Sequence, residues 1–175
     1  MYVFKPAWLA AIALLTNSAA AQEAATTIVI DSTTLDTFLN QNDGDNPLSV
    51  IDSDDGQLGV FMLSSPVRPA PADGTVTGGY HSAISEIYHV IKGTGTFVTD
   101  GDLRDATEVE KDSARYSRAG PGESGPLENA TLVEYGPGKI FIVPPGVPHN
   151  ATHEVTSETD FLIYRFDPDR VLPPH

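Results

Sequence analysis

Two segments bounded by glycine and proline constrain this chain more than any other part of its sequence. The first is Gly79–Gly95 (GYHSAISEIYHVIKGTG), in which His81, Glu86 and His89 precede a glycine-rich turn. The second is Gly138–His153 (GKIFIVPPGVPHNATH), in which a histidine follows a Pro-Pro-Gly turn. β-Branched and aromatic runs bounded by such turns are typical of strands. Because imidazole and carboxylate groups are ligands of divalent first-row metals, the two segments together indicate a metal site.

The rest of the chain also favours β-structure. Short apolar or β-branched runs separated by Gly, Pro, Asn and Asp recur from Leu48 to Phe166. Such a pattern is typical of strands joined by turns, and no internal repeat indicates a second domain. The sequence therefore predicts a single all-β domain, a barrel or a sandwich.

Three local features refine this prediction. A short helix is expected over Thr33–Asn40, with Ser32 as its cap and apolar residues on one face. Gly93–Gly95 follows a strand-like run and precedes another, which indicates a β-hairpin. The polar segment Asp100–Pro126 is predicted to be a long surface loop, and loops of this length are usually functional.

The composition of the chain excludes several kinds of partner and chemistry. The 175 residues include 10 Lys and Arg against 24 Asp and Glu, a formal net charge of −14. This balance argues against nucleic acid and against anionic membrane surfaces, which need clusters of basic residues. The chain has no cysteine, so disulfides, thiolate ligands and cysteine nucleophiles are excluded. We expect a small molecule as the partner.

The first 21 residues are typical of a secretory signal peptide. Lys5 is followed by the apolar run Ala7–Leu15, and Ala19 and Ala21 form a small-residue cleavage site. The apolar run is too short to span a bilayer, so no membrane span is expected after cleavage. We therefore expect cleavage after Ala21 and export of residues 22–175 as one secreted or periplasmic domain.

The second segment resembles a motif of the cupin superfamily. Gly138, Pro144, Gly146 and His149 have the spacing of the second cupin motif, whereas His153 stands at its last position, where the family has asparagine. This motif contributes a metal-binding histidine in cupins, and the resemblance assigns that role to His149.

The first segment is similar to the second half of the first cupin motif. Glu86–Gly93 matches the part that begins with the metal-binding glutamate, and His81 takes the position of the second histidine of the family's pair. Gly79 stands where the first histidine is expected, so the resemblance implies a site that lacks one imidazole. The resemblance extends over residues 79–166, about half of the chain.

Strand geometry tests which of these side chains can share an ion. Side chains alternate between the two faces of a strand, so Glu86 and Tyr88 lie on one face and His89 on the other, unless a bulge reverses them. His149 and His153 share a face but are about 13 Å apart along a strand. Metal–nitrogen bonds are only about 2 Å long, so both cannot bind one ion without a sharp bend.

These considerations define the candidate site. The preferred ligands are His81, Glu86 and His149, with His89 as a further candidate ligand. Tyr88 and His153 are candidate catalytic residues, which could move protons or support the ligands. Arg165 on the last predicted strand would anchor a carboxylate if it pointed inward, but we expect it to point outward, to the acidic surface.

The cupin resemblance implies a double-stranded β-helix (jelly-roll) barrel holding a divalent ion, either Fe, Mn, Ni or Zn. The leading hypothesis is an exported metalloenzyme of the dioxygenase or the lyase and isomerase type, acting on a small organic substrate. The alternative is a small-molecule-binding barrel without turnover, which the missing histidine at Gly79 favours, and a purely structural barrel is a third hypothesis. The resemblance also implies a possible homodimer.

Overall fold

The structure is a computed structural model that describes residues 27–41 and 44–172. The predicted signal peptide, residues 1–21, lies outside the described residues. In chain order the elements are α1 (Ser32–Gln41), β1 (Gly44–Ser53), β2 (Gly56–Ser65), β3 (Thr77–His81), β4 (Ser85–Thr99), β5 (Asp102–Leu103), β6 (Thr107–Glu108), α2 (Tyr116–Ala119), β7 (Gly122–Glu128), β8 (Thr131–Tyr135), β9 (Ile140–Val143) and β10 (His149–Asp167). No helix in these ranges is long and apolar enough to cross a membrane.

The strands pair antiparallel and form two layers that share the two longest strands. One layer runs β1, β2, the second half of β10, the first half of β4, and β9. The other runs β8, the second half of β4, the first half of β10, β3 and β7, with β5 and β6 beside β7. The paired ribbon of β4 and β10 therefore passes from one layer into the other. The predicted all-β fold with a short N-terminal helix is confirmed.

The ribbon bends sharply between the two layers. The rings of Tyr88 and Phe97, nine residues apart on β4, meet edge to face with centroids 5.3 Å apart. The register between β4 and β10 shifts four times between Asn150 and Phe161, which is where the ribbon turns. The predicted hairpin at Gly93–Gly95 is wrong, because β4 continues through these glycines. Gly93 has φ +86° and packs against Thr159, so this bend leaves no room for a side chain.

The core fills the space between the layers. It consists of aromatic and aliphatic side chains from both, namely Phe61, Ile84, Tyr88, Val90, Phe97, Tyr135, Val143, Ala151, Phe161, Ile163 and Leu172. Arg165 shares the inward face of β10 with Phe161 and Ile163 and is only 2% exposed. The expectation that Arg165 points outward is therefore wrong. Its guanidinium lies 4.2 Å from the centre of the Phe61 ring, and three hydrogen bonds hold it in the interior.

Two further expectations are corrected in part. The helix α1 begins at Ser32, and its cap is Asp31, whose carboxylate accepts the Thr34 N–H at 2.8 Å. The segment Asp100–Pro126 is not one loop, because it contains β5, β6, the single turn α2 and most of β7. The turn α2 places two arginines beside the interior of the barrel, where the candidate site lies.

Candidate metal centre

Three of the predicted ligands meet inside the barrel. His81 ends β3, Glu86 is the second residue of β4, and His149 begins β10. Their side chains are buried, with relative exposures of 7%, 1% and 7%. The Glu86 Oε2 atom lies 2.9 Å from His149 Nε2 and 3.5 Å from His81 Nε2, and one donor atom from each residue lies within 4.8 Å of the others.

These separations fit a shared cation. Two ligands bound at about 2.1 Å are about 3.0 Å apart at a right angle and about 3.4 Å apart at a tetrahedral angle. The observed 2.9 Å and 3.5 Å between the Glu86 oxygen and the two imidazole nitrogens lie close to these values. The donor set of two imidazoles and one carboxylate suits Fe, Mn, Ni or Zn.

The tautomer of His149 gives the strongest indication of a cation. Its Nδ1 atom lies 3.0 Å from the Val147 carbonyl oxygen, which only accepts hydrogen bonds, so Nδ1 carries the proton. In a neutral imidazole Nε2 then holds a lone pair, and this lone pair faces the Glu86 carboxylate at 2.9 Å. Two electron-pair donors at this distance repel each other unless a cation or a second ring proton lies between them. The backbone carbonyl thus orients His149 as metal-ligating histidines are usually oriented.

His81 is kept neutral by its surroundings. Burial lowers the pKa of His81 to about 4, although the neighbouring Glu86 carboxylate opposes the shift. The ring is therefore unprotonated at neutral pH, which metal coordination requires. Its Nδ1 atom is buried without a hydrogen-bond partner among the described residues.

Glu86 is held as a charged carboxylate by an ion pair that sequence reasoning missed. Arg165 donates from Nε to Glu86 Oε1 at 2.7 Å, leaving Oε2 to face the two histidines. Arg165 also donates to Asp45 Oδ2 at 2.5 Å and to the Arg118 carbonyl oxygen at 2.8 Å. Burial on its own raises the pKa of Glu86, but the charge of Arg165 is the largest opposing effect, and this pKa lies well below the usual value.

Tyr88 lies at the centre of the cluster. Its hydroxyl donates to Glu86 Oε2 at 3.0 Å and lies 3.1 Å from His149 Nε2. Burial, reinforced by the Glu86 charge, raises the pKa of Tyr88 well above its usual value, so the phenol keeps its proton. The structure therefore brings this predicted catalytic residue to the donor atoms, where its hydroxyl can hold or transfer a proton.

The structure does not bring His89 or His153 to the donor atoms. His89 is half-buried and lies on the opposite face of β4 from Glu86, since no bulge interrupts the pairing with β9 between them. His153 is buried four residues further along β10 than His149 and is not part of the cluster. His89 therefore does not replace the histidine missing at Gly79, and the role of His153 in proton transfer stays a prediction.

The packing of β3 explains why Gly79 cannot be a histidine here. Gly79 pairs with Ser124 of β7 on one side and with His149 on the other. A Cβ atom at Gly79 would lie 2.5 Å from the Glu123 carbonyl oxygen and would overlap the guanidinium of Arg115. The place of a fourth protein ligand is thus taken by the β7 backbone and by an arginine.

The cluster lies beside a cavity of about 780 Å³. Its walls come from β1, β2, β3, β4, β6, β7, β10 and the turn α2 with the residue before it, and they include His81, Tyr88, His149, Asp45, Arg115, Arg118 and Arg165. Sequence reasoning missed both Arg115 and Arg118. The one signal that could have found them is that two arginines occur within four residues of a strongly acidic chain.

The pH dependence of stability should report the environment of His81. Since its pKa is depressed in the folded protein, the unfolded chain binds a proton between pH 6.5 and about 4 that the folded protein does not. Stability of the metal-free protein should therefore fall as the pH falls through this window, by at most about 3 kcal/mol. Urea unfolding at several pH values measures this slope. The variant His81→Gln should show a flatter slope, and an unchanged slope would contradict the assignment.

Comparison with known proteins agrees with this description but adds little to it. No family model and no curated protein sequence matches the chain. Among solved structures, protein BH2720 from Bacillus halodurans is 14% identical, with 87% of this chain and 86% of that chain covered and a TM-score of 0.46. A cupin-2 domain containing protein from Shewanella frigidimarina is 15% identical, with coverages of 78% and 92% and a TM-score of 0.41.

A third solved structure is HppE with Co(II) in complex with Tris buffer. It is 14% identical to this chain, with coverages of 72% of this chain and 55% of that chain and a TM-score of 0.39. Identities and TM-scores this low transfer no activity or ligand to this chain. The assignment therefore rests on the chain itself: the two motifs, the two-layered antiparallel barrel and the convergence of both motifs on one cluster define a cupin-like barrel with a candidate metal centre.

Proposed function

We propose that this protein is a metal-dependent enzyme that acts on a small organic molecule bound beside His81, Glu86 and His149. The observation that carries the proposal is the 2.9 Å distance between His149 Nε2 and the Glu86 carboxylate, with His149 Nδ1 bonded to the Val147 carbonyl oxygen, because a cation held by both groups fits this geometry. The adjoining cavity of about 780 Å³ is large enough for a small substrate. Three protein ligands leave coordination positions for substrate or water.

A divalent ion at these residues would supply Lewis acidity that polarises a substrate oxygen, or a route to dioxygen chemistry. Other groups of the chain would orient the ligands and supply a proton. The Val147 carbonyl fixes the His149 ring, and Arg165 fixes the carboxylate of Glu86. The Tyr88 hydroxyl, within 3.1 Å of both Glu86 and His149, keeps a proton ready for transfer to or from a substrate oxygen.

The second candidate is a binding barrel without turnover. The backbone of β7 against Gly79 favours it, because this packing leaves three protein ligands where the cupin motif implies four. Such a barrel could hold a metal or lack one, and if it holds one, the two candidates differ only in whether bound molecules are converted.

Metal content and activity separate these possibilities. We expect the untagged full chain to hold about one equivalent of a divalent ion by elemental analysis. Hydroxy acids, diketones and phenols should then be screened for conversion and oxygen consumption, before and after chelation and metal restoration. Conversion that chelation abolishes and metal restores would support the enzyme. Bound metal without conversion would favour the binding barrel, and a protein that binds no divalent ion would overturn the metal-dependent enzyme and leave a binding barrel without metal.

Export and partners belong to the same proposal. The segment that indicates export lies outside the described residues, so cleavage after Ala21 and a secreted or periplasmic location stay predictions. A homodimer and the absence of nucleic-acid binding also stay predictions. The net charge of −14 supports the latter, because a strongly acidic surface repels phosphate backbones.

A further inference from the structure

The cavity concentrates positive charge in an acidic protein. Three of the six arginines of the chain line it, namely Arg115, Arg118 and Arg165, whereas Asp45 is the one acidic residue of its lining within the described ranges. The buried carboxylate of Glu86 lies beneath this lining. A bound divalent ion would add two further positive charges, so an anionic molecule is favoured in this cavity over the acidic outer surface.

The three arginines differ in what they already bind. All three side-chain nitrogen atoms of Arg165 donate hydrogen bonds, to Glu86, to Asp45 and to a backbone carbonyl. Arg118 lies near Asp45, and its positive charge lowers the pKa of that carboxyl, against the stronger effect of burial. The side chain of Arg115 makes no hydrogen bond and no ion pair within residues 27–41 and 44–172, and its backbone carbonyl accepts the N–H groups of Arg118 and Ala119.

The guanidinium of Arg115, which has no hydrogen-bond partner, lies close to the candidate metal centre. The residue is exposed at the cavity mouth, but its guanidinium reaches the backbone of the buried Gly79, two residues from His81. Partial burial lowers the pKa of Arg115, while Tyr88 and Glu86 are close enough to oppose this shift. The guanidinium thus occupies the place of the absent first-motif side chain, within reach of a molecule that also contacts the donor atoms.

We propose that the substrate carries a carboxylate and that Arg115 binds this carboxylate through its unpaired guanidinium. The inference rests on the proposed function, because it places the rest of the substrate at His81, Glu86 and His149. A guanidinium presents two parallel N–H groups that match the two oxygens of a carboxylate. Arg165 is already fully hydrogen-bonded and Arg118 lies near the charge of Asp45, so Arg115 is the arginine left to bind an anion. One guanidinium matches one planar carboxylate, whereas a phosphate dianion is usually held by several cations or a helix N-terminus. The polar wall of Thr107, Ser124 and Asn150 can bind further oxygen atoms of the molecule.

Binding to metal-free and metal-loaded protein tests this assignment without requiring turnover. The compounds are malonate, succinate and malate, with glycerol phosphate for comparison, measured by calorimetry and by the shift of the melting temperature. We expect at least one carboxylate to bind, and Arg115→Ala to weaken it by about 10-fold to 100-fold, as expected for a hydrogen-bonded ion pair. Arg115→Lys should recover part of the affinity. The matched control is Arg68→Ala, an exposed arginine outside the cavity, which should bind like the unmodified protein.

The outcomes separate this inference from the proposed function. Carboxylate binding that is the same in Arg115→Ala, or absent from the unmodified protein, would overturn the role of Arg115. Arg115-dependent binding of glycerol phosphate alone would overturn the carboxylate assignment. Arg115→Ala should retain the metal content and melting temperature of the unmodified protein. Arg115-dependent carboxylate binding in a protein that binds no metal would leave the anion site standing while the proposed function fails.

Discussion

Replacing Arg165 with methionine is expected to lower the free energy of unfolding by about 3–5 kcal/mol, which is the cost of removing one partner from a buried ion pair. Methionine fills much of the same volume, so packing against Phe61 is largely retained. What is lost is the positive charge that compensates the buried carboxylate of Glu86 at 2.7 Å and the partly buried carboxylate of Asp45 at 2.5 Å. These carboxylates would have to take up protons or remain charged without a partner, and both cost free energy.

Urea unfolding of purified variants at neutral pH measures this loss. The matched control is Arg104→Met, because Arg104 also pairs with a glutamate, Glu128 at 2.8 Å, but with both side chains more than half exposed. Its loss should cost less than about 1 kcal/mol. The double variant Arg165→Met with Glu86→Gln should recover part of the stability lost in Arg165→Met. Equal, small effects of the two single arginine variants would show that Arg165 does not hold the interior together.

The second large effect is expected on metal binding. His81→Ala and His149→Ala should each reduce the bound divalent ion from about one equivalent to less than about a tenth after dialysis, since each removes one of only three protein ligands. The matched control is His89→Ala, which removes a histidine from the same part of the barrel but from the opposite face of β4. This variant should retain the full metal content.

Elemental analysis of untagged protein, together with titration of Co(II) followed by its visible spectrum, provides the measurement. Circular dichroism separates loss of metal from loss of fold. Retention of metal at the native stoichiometry in both His81→Ala and His149→Ala would show that the ion lies elsewhere. Loss of metal in His89→Ala alone would instead identify a ligand set that the present arrangement of strands does not allow.

The sequence predicted the fold class from local strand patterns, and the resemblance to the two cupin motifs grouped His81, Glu86 and His149 as candidate ligands. Strand alternation placed Glu86 and Tyr88 on one face and His89 on the other, and the structure has this arrangement. The same alternation grouped Arg165 with Phe161 and Ile163, but it did not show that this face is internal. A charged residue is usually outside, and its burial is favourable here because two carboxylates distant in sequence, the buried Glu86 and the partly buried Asp45, bind it together with a backbone carbonyl.

Other features depended on contacts between distant parts of the chain. The glycines at Gly93–Gly95 indicated a hairpin because tight turns need them, but here they allow a continuous strand to bend against β10. The contribution of Arg115 was also hidden, because it lies in a segment without periodicity and reaches the site only through the pairing of β3 with β7. No local pattern contains that information.

The curved ribbon of β4 and β10 has a consequence for how the protein would keep an ion. His149 and Arg165 are sixteen residues apart on β10, about 50 Å along a straight strand, yet both contact Glu86. The metal ligands therefore come together only when the ribbon has bent, and the unfolded chain contains no preformed metal site. The free energy of metal binding would add to the stability of the folded ribbon. An ion bound by residues from both ends of the ribbon would act chiefly by slowing its unfolding.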